Sequence, residues 1–185
     1  MEILRMYKQD PPRGMLFKEA VYEPEDRTLM VTKGRVGNEG RVSVRENVDA
    51  GKAEQLLEEF AAAAEGEGFA EIPEEEQHWV IAQYALKSKD GTERDRYLEH
   101  KASTAIGTYF AWRGLGSVEE TGFSPYKLNI LCLVPDVKLA VRGIQVVIRE
   151  SRLDFTKLSI GTAPFADLEH PVRKYPLPSK VPFEL

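Results

Sequence analysis

Two hydrophobic periodicities alternate along this chain, and their order constrains the fold more than any other feature. Strand-like alternation dominates residues 15–47, a helix-like pattern follows over 49–66, and strands and helices then alternate over 78–163. A repeat of two residues buries one face of a strand, whereas a spacing of three and four residues buries one stripe of a helix. The mixture predicts an α+β protein.

The first module, residues 1–75, is predicted to contain three strands, one helix and a short closing strand at Gly68-Phe69. Asp49 is suited to cap the helix, because its side chain accepts hydrogen bonds from the free N–H groups of the first turn. The helix itself is predicted from apolar residues at helical spacing, which are Ala53, Leu56, Leu57, Phe60, Ala63 and Ala64. We expect an antiparallel sheet with this helix packed against it.

The second module, residues 76–163, follows a proline within a carboxylate cluster, which is the clearest break in composition. Thr92 and Asp95 form a capping-box pattern for a helix that runs to about Trp112, and a second helix starts after Pro135. The order β-α-β-β-α-β predicts a ferredoxin-like unit. Residues 164–185 contain five prolines and are predicted to form an extended tail.

Charge is unevenly distributed along the chain. Between residues 46 and 76 eleven acids and one base give −10, so the remaining residues carry +5 of a total net charge of −5. An acidic stripe on the helix repels phosphate and attracts a basic protein, although a charge-rich solvated face is the competing explanation. We select Glu54, Glu58 and Glu59 on this stripe as candidate contacts to a protein partner.

Several features indicate a cytoplasmic protein. The single cysteine, Cys132, cannot form an internal disulfide. The first dozen residues carry charges of both signs and lack the apolar core of a signal peptide. No apolar run approaches the ~20 residues that a bilayer span needs, so we expect no membrane partner.

Side chains that carry chemistry do not converge in the sequence. No two of the histidines have the spacing of metal ligands; they are His78, His100 and His170. Cys132 lies in the apolar run 128–134, which favours a buried core residue over a nucleophile. We therefore expect no catalytic residue, no cofactor and no metal.

The link 113–121 is the remaining candidate for catalysis. Its glycines and the pair Glu119 and Glu120 are compatible with a small hydrolase or transferase site. Consecutive carboxylates on a strand point to opposite faces, however, and a flexible connection from helix to strand explains the glycines equally well.

Aromatic residues next to this link suggest an interaction surface. If Phe110 and Trp112 project outward together, they form an apolar patch rimmed by Arg113, which is the residue mixture of a binding hot spot. The patch and the acidic stripe predict a non-enzymatic interaction protein. An immunity protein or antitoxin that neutralises a basic toxin fits these properties.

Residues 33–40 read Lys-Gly-Arg-Val-Gly-Asn-Glu-Gly, and together with the helix they resemble a known family. Residues 15–73 are similar to the WGR domain, named for its Trp-Gly-Arg triplet and present in bacterial proteins. The matching positions are Gly34, Arg35, Val36, Gly37, Gly40, Ala53, Phe60, Gly68 and Phe69. Lys33 stands where the family has tryptophan, and lysine supplies a point charge rather than a stacking plane.

The resemblance implies a compact, non-catalytic module that contacts DNA. The alternative to protein binding is therefore nucleic-acid binding through the WGR-like sheet. Its footprint comprises four basic residues within thirteen positions, which are Lys33, Arg35, Arg41 and Arg45. The neighbouring acidic stretch opposes phosphate binding, so the two hypotheses differ in the surface that is used.

Overall fold

The computed structural model describes residues 2–177 and 181–185 of the chain. Over these residues it contains three helices and two antiparallel sheets, of four and five strands, which confirms the predicted α+β class. The chain divides into two compact units. Unit 1 comprises residues 1–72 and 112–114, and unit 2 comprises residues 73–111 and 115–185.

Unit 1 is built on a sheet whose strands follow one another in chain order. The strands are β1 (Glu2–Asp10), β2 (Gly14–Glu23), β3 (Thr28–Arg35) and β4 (Arg41–Arg45). β1 was not expected from the sequence, because Met6 and Tyr7 are adjacent and both buried, so the alternation that marks a half-buried strand is missing. All neighbouring strands are antiparallel and joined by short turns.

One helix, α1 (Ala50–Gly66), covers part of this sheet. Asp49 caps it as predicted, accepting a hydrogen bond from the backbone N–H of Lys52 at 2.8 Å. Its buried side chains pack against the sheet in a cluster that contains Ala20, Tyr22, Leu29, Val48, Ala53 and Leu57. Burial of these apolar side chains is the main source of stability for unit 1.

The predicted closing strand at Gly68-Phe69 is wrong. In its place Ala70 makes an isolated bridge to Tyr7, with N–H to carbonyl distances of 2.7 and 2.9 Å. Gly68 has a φ of +85°, which turns the chain out of extended geometry immediately before this bridge.

Unit 2 combines a five-stranded sheet with two helices. Its elements are β5 (His78–Ala85), α2 (Glu93–Ala111), β6 (Ser117–Ser124), β7 (Lys127–Val134), α3 (Val137–Glu150), β8 (Leu158–Pro164) and β9 (Val172–Tyr175). A short 3-10 helix, Glu74–Glu76, precedes β5. The strand order in the sheet is β6-β7-β5-β8-β9, and every neighbouring pair is antiparallel.

The helices of unit 2 begin as their sequences predict. Thr92 and Asp95 form a capping box in which the Asp95 carboxylate accepts from the backbone N–H of Thr92 at 2.8 Å. Asp136 caps α3 by accepting from the N–H of Leu139 at 2.9 Å. The two helices contact each other and the sheet, and α3 buries the stripe Ala140, Gly143, Ile144, Val147 and Ile148.

Candidate functional site

The strand register of unit 1 brings basic residues together on one face of the sheet. Lys18 lies opposite Lys33, and Lys33 lies opposite Arg41. Opposite residues of antiparallel strands point to the same side, and Arg35 shares that side because it is two positions after Lys33. Ala20 lies on the same side of the sheet and belongs to the cluster that packs against α1, so the basic residues are on the face that this helix partly covers.

These side chains line an open pocket of about 430 Å³. Its basic residues are Lys18, Lys33, Arg35 and Arg41, and Phe69 contributes an aromatic wall. Glu39 is the acidic residue of the lining, and its carboxylate lies 3.8 Å from the guanidinium of Arg113. The pocket therefore carries a surplus of positive charge.

Lys18 is the one basic residue of the pocket that has a carboxylate partner in the described part of the chain. Its ammonium lies 2.7 Å from the Glu67 carboxylate and 4.8 Å from the centre of the Phe69 ring. The hydrogen bond and the charge of Lys18 lower the pKa of Glu67, so this carboxylate is ionised at neutral pH. Lys18 is thereby partly neutralised.

The other three cations of the pocket lack an ion-pair partner of this kind, although the charge of Lys33 also helps to lower the pKa of Glu67. Among residues 2–177 and 181–185, no carboxylate lies within ion-pair distance of Lys33, Arg35 or Arg41, and all three side chains are exposed. Like charges placed directly opposite each other on a sheet repel and destabilise the pairing. An anion bound between them removes this repulsion.

Two glycines at the connection between β3 and β4, Gly34 and Gly40, are explained by packing. A Cβ at Gly40 would lie 2.7 Å from the methyl group of Thr32, and one at Gly34 would lie 3.0 Å from the Cα of Gly40. The two backbones therefore approach each other more closely than side chains allow. The Gly-rich motif shapes the turn that holds Arg41 across from Lys33.

Arg45, the fourth residue of the predicted nucleic-acid footprint, lies outside this pocket. It points to the same face as Arg41 but lies opposite Leu29, and it lines a separate groove together with Glu59 and Phe60. The pocket instead contains Lys18, which sequence analysis missed. The position of the turn could have shown this, because a hairpin that turns at residues 24–27 places Lys18 opposite Lys33.

The predicted aromatic patch is not formed. Phe110 is 0% exposed, because it lies on the same helical stripe as Ala102 and Ile106 in the core of unit 2. Trp112 is 45% exposed and belongs with Arg113 to unit 1. There the carbonyls of Trp112 and Arg113 accept from the N–H groups of Gly40 and Gly37 at 2.8 and 2.9 Å.

The acidic stripe on α1 faces solvent. Glu54, Glu58 and Glu59 are exposed, and Glu59 also lines the groove that contains Arg45. Glu59 accepts a hydrogen bond from the Gln55 amide at 3.0 Å. The three carboxylates are thus available to a basic partner.

The candidate catalytic groups belong to unit 2. Glu119 and Glu120 line a shallow, polar pocket of about 330 Å³ in unit 2, and Glu119 accepts a hydrogen bond from the Ser117 hydroxyl at 2.6 Å. Burial raises the pKa of the Cys132 thiol, which keeps it protonated. Within the described residues no three His, Cys, Asp or Glu side chains are grouped as metal ligands.

Comparison of the chain with protein-family models, with curated proteins and with solved structures finds no match. None of the helices in the described residues combines the length and the apolarity needed to cross a lipid bilayer.

Proposed function

We propose that this chain is a non-enzymatic binding protein and that unit 1 binds nucleic acid through the basic pocket. The observation that supports this function is the convergence of Lys33, Arg35 and Arg41 on one open pocket, with no carboxylate of the described residues within ion-pair distance of them. Neutralisation of phosphates by such cations supplies most of the affinity of sequence-independent nucleic-acid binding.

The chemistry of the pocket favours contacts to the phosphate backbone over contacts to bases. Two guanidinium groups can each donate two parallel hydrogen bonds to a phosphate, whereas the Lys33 ammonium acts as a point charge. Phe69 is largely buried, and the ammonium of Lys18 lies over its ring, so it is a poor platform for base stacking. We therefore expect weak dependence on base sequence.

The acidic stripe does not abolish this attraction at physiological salt. Glu67, which contacts Lys18, marks the end of α1 at the pocket, and Glu54 lies near the other end of the helix. At 1.5 Å per residue, thirteen positions separate the two glutamates by about 20 Å. This distance exceeds the Debye length of about 8 Å, so the repulsion from Glu54 is largely screened, and that from Glu58 and Glu59, at about 12–14 Å by the same measure, is screened less.

The test measures binding of short labelled DNA by fluorescence anisotropy at about 50 mM salt, with the DNA as a single strand, a blunt duplex and a nicked duplex. Lys33→Glu and Arg41→Glu should each weaken binding at least about tenfold, because each replaces an attraction by a repulsion. Arg45→Glu is the matched control, since Arg45 lies on the same face outside the pocket. An absence of binding by the wild type, or equal effects of all three variants, overturns the proposal.

The acidic stripe supports a second candidate function, which is binding of a basic protein such as a toxin. Its supporting observation is that Glu54, Glu58 and Glu59 are exposed together on one helix. Replacement of all three by lysine should then raise the Kd for a basic partner and remove its salt dependence. A complex that this charge reversal leaves unchanged contradicts the use of this surface.

We propose a separate fold family for each of the two units. A WGR-like assignment for unit 1 is supported by its four-stranded antiparallel sheet with one packed helix. A ferredoxin-like assignment for unit 2 is supported by the order β6-β7-β5-β8, in which the first and third strands of the βαββαβ series lie side by side. The single free cysteine favours a cytoplasmic location.

A further inference from the structure

A segment near residue 183 lies on the sheet of unit 2 in the manner of a bound peptide. The strand register aligns Leu131, Ile81 and Gly161 in one row across β7, β5 and β8. The ring of Phe183 rests on this row and is 5% exposed, in a cluster with Ile81 and Leu131. Trp79 and Leu168 pack against the same cluster, so the ring has apolar neighbours on several sides.

Gly161 forms the floor of the ring's site. A Cβ built at this residue would lie 2.5 Å from two carbon atoms of the Phe183 ring, so any larger residue would push the ring away. Next to Gly161 in the register, Arg173 of β9 places its guanidinium 5.3 Å from the ring centre. The site is thus a glycine-floored aromatic pocket with a cation at its edge.

Three side chains of unit 2 bind the main chain on both sides of Phe183. The Gln83 amide and the Lys127 ammonium donate to the carbonyl oxygen of Glu184 at 2.7 and 2.8 Å. The Arg173 guanidinium donates to the carbonyl oxygen of Pro182 at 3.3 Å. These hydrogen bonds are made to main-chain carbonyls of an extended segment, so they do not depend on the side chains that flank Phe183.

The donors are held in place by the sheet itself. Gln83 is 7% exposed and also donates to the Asn129 side chain at 2.8 Å, while Asn129 donates to the Ser124 hydroxyl at 3.1 Å. Arg173 donates to the Ser159 hydroxyl at 2.9 Å. Pre-oriented donors lower the entropic cost of binding a peptide.

The segment itself is held by the Phe183 ring and by main-chain hydrogen bonds, without the paired ladder of a strand. Residues 181–185 belong to no strand, and the Phe183 side chain is the one that is buried, while Val181 is 67% and Leu185 38% exposed. Segments outside the paired strands of a sheet can open at a lower cost than global unfolding. Its attachment in the same chain supplies a high effective concentration, which a separate peptide must overcome.

We propose that this face of the five-stranded sheet is a peptide-binding groove. Its ligand is an extended Pro-Phe segment of a partner protein, whose phenylalanine enters the pocket over Gly161 and whose carbonyls accept from Gln83, Lys127 and Arg173. In the free chain Pro182 and Phe183 occupy the groove and compete with the partner. This groove is independent of the basic pocket in unit 1.

The test uses the full-length chain with Phe183→Ala and a fluorescein-labelled peptide with the sequence of residues 181–185. Removal of the internal ring leaves the groove open, so the variant should bind the peptide about tenfold more tightly than the wild type. A peptide with alanine in place of phenylalanine should not bind. Gly161→Ala added to Phe183→Ala fills the pocket and should abolish binding, which separates groove binding from non-specific association.

A second measurement keeps the proposal testable if Phe183→Ala fails to fold. Wild-type chain labelled with ¹⁵N is titrated with the unlabelled peptide, and the signals of the Gln83 side-chain amide and the Gly161 N–H should shift as the internal segment is exchanged. Absence of both effects at millimolar peptide overturns the proposal. A wild-type dimer that Phe183→Ala abolishes in sedimentation experiments also overturns it, because the occupant is then a second copy.

Discussion

Glu67→Gln should convert Lys18 from a paired cation into a phosphate contact. In the structure the Glu67 carboxylate lies 2.7 Å from the Lys18 ammonium and neutralises it. Glutamine keeps the shape and removes the charge, and the hydrogen bond from Lys8 to the backbone carbonyl of residue 67 is untouched. Because the Lys18 charge lowers the pKa of Glu67, the wild-type carboxylate is ionised in a neutral assay.

The magnitude follows from counterion release. With Lys33, Arg35 and Arg41 as phosphate contacts, three counterions are released and the slope of log K against log salt is about −2.7. The affinity then falls about 40-fold between 50 and 200 mM salt. With Lys18 as a fourth contact the slope becomes about −3.6, and the same change of salt lowers affinity about 150-fold.

The assay is the salt dependence of DNA binding, measured by fluorescence anisotropy for wild type and Glu67→Gln. Glu54→Gln is the matched control, because it removes the same charge from the distant part of α1 and should leave the slope unchanged. Equal slopes for Glu67→Gln and wild type would refute the reasoning. So would an equal gain in both variants, since the effect would then come from net charge alone.

Three further outcomes concern stability and titration. Leu57→Ala removes a buried side chain between α1 and the sheet and should lower the unfolding free energy of unit 1 by about 2–5 kcal/mol in urea denaturation; a loss below about 1 kcal/mol contradicts the assigned core. Asp136→Ala should cost about 1 kcal/mol in the same assay, through loss of the α3 cap, and no loss contradicts the capping role. The pKa of His170 is raised, chiefly by its hydrogen bond to Asp167. The contribution of this pair to stability is therefore fully present below the pKa of an unfolded histidine, and it is lost as pH rises through the raised pKa. NMR titration should show this pKa falling in Asp167→Asn, and an unchanged pKa rules out the pairing.

Local patterns predicted the helices and most strands. Asp49 and Asp136 cap the helices whose apolar stripes follow them, because capping and helical spacing depend on residues within one or two turns. The first strand was missed because Met6 and Tyr7 are buried on opposite faces, which erases its alternation. A strand predicted at Gly68-Phe69 became an isolated bridge, since pairing is decided by a distant partner, Tyr7.

The candidate site was only partly predictable, because it depends on register. Lys33, Arg35 and Arg41 were selected as neighbours in sequence, whereas Lys18 enters the pocket through the pairing of β2 with β3. Arg45 was selected with them, although its pairing with Leu29 places it in another groove.

Two further features were not predicted correctly. Phe110 was assigned to the surface from its proximity to Trp112, although its spacing of four from Ile106 indicates burial. The position of residues 112–114 in unit 1 is a non-local contact that no local pattern encodes.

Chemical-shift mapping of the ¹⁵N-labelled chain with a short DNA duplex tests the central proposal most directly. The largest shifts at about 50 mM salt should cluster at Lys18, Lys33, Arg35 and Arg41, and they should disappear at high salt. Shifts confined to other surfaces, or a spectrum that DNA leaves unchanged, would contradict it.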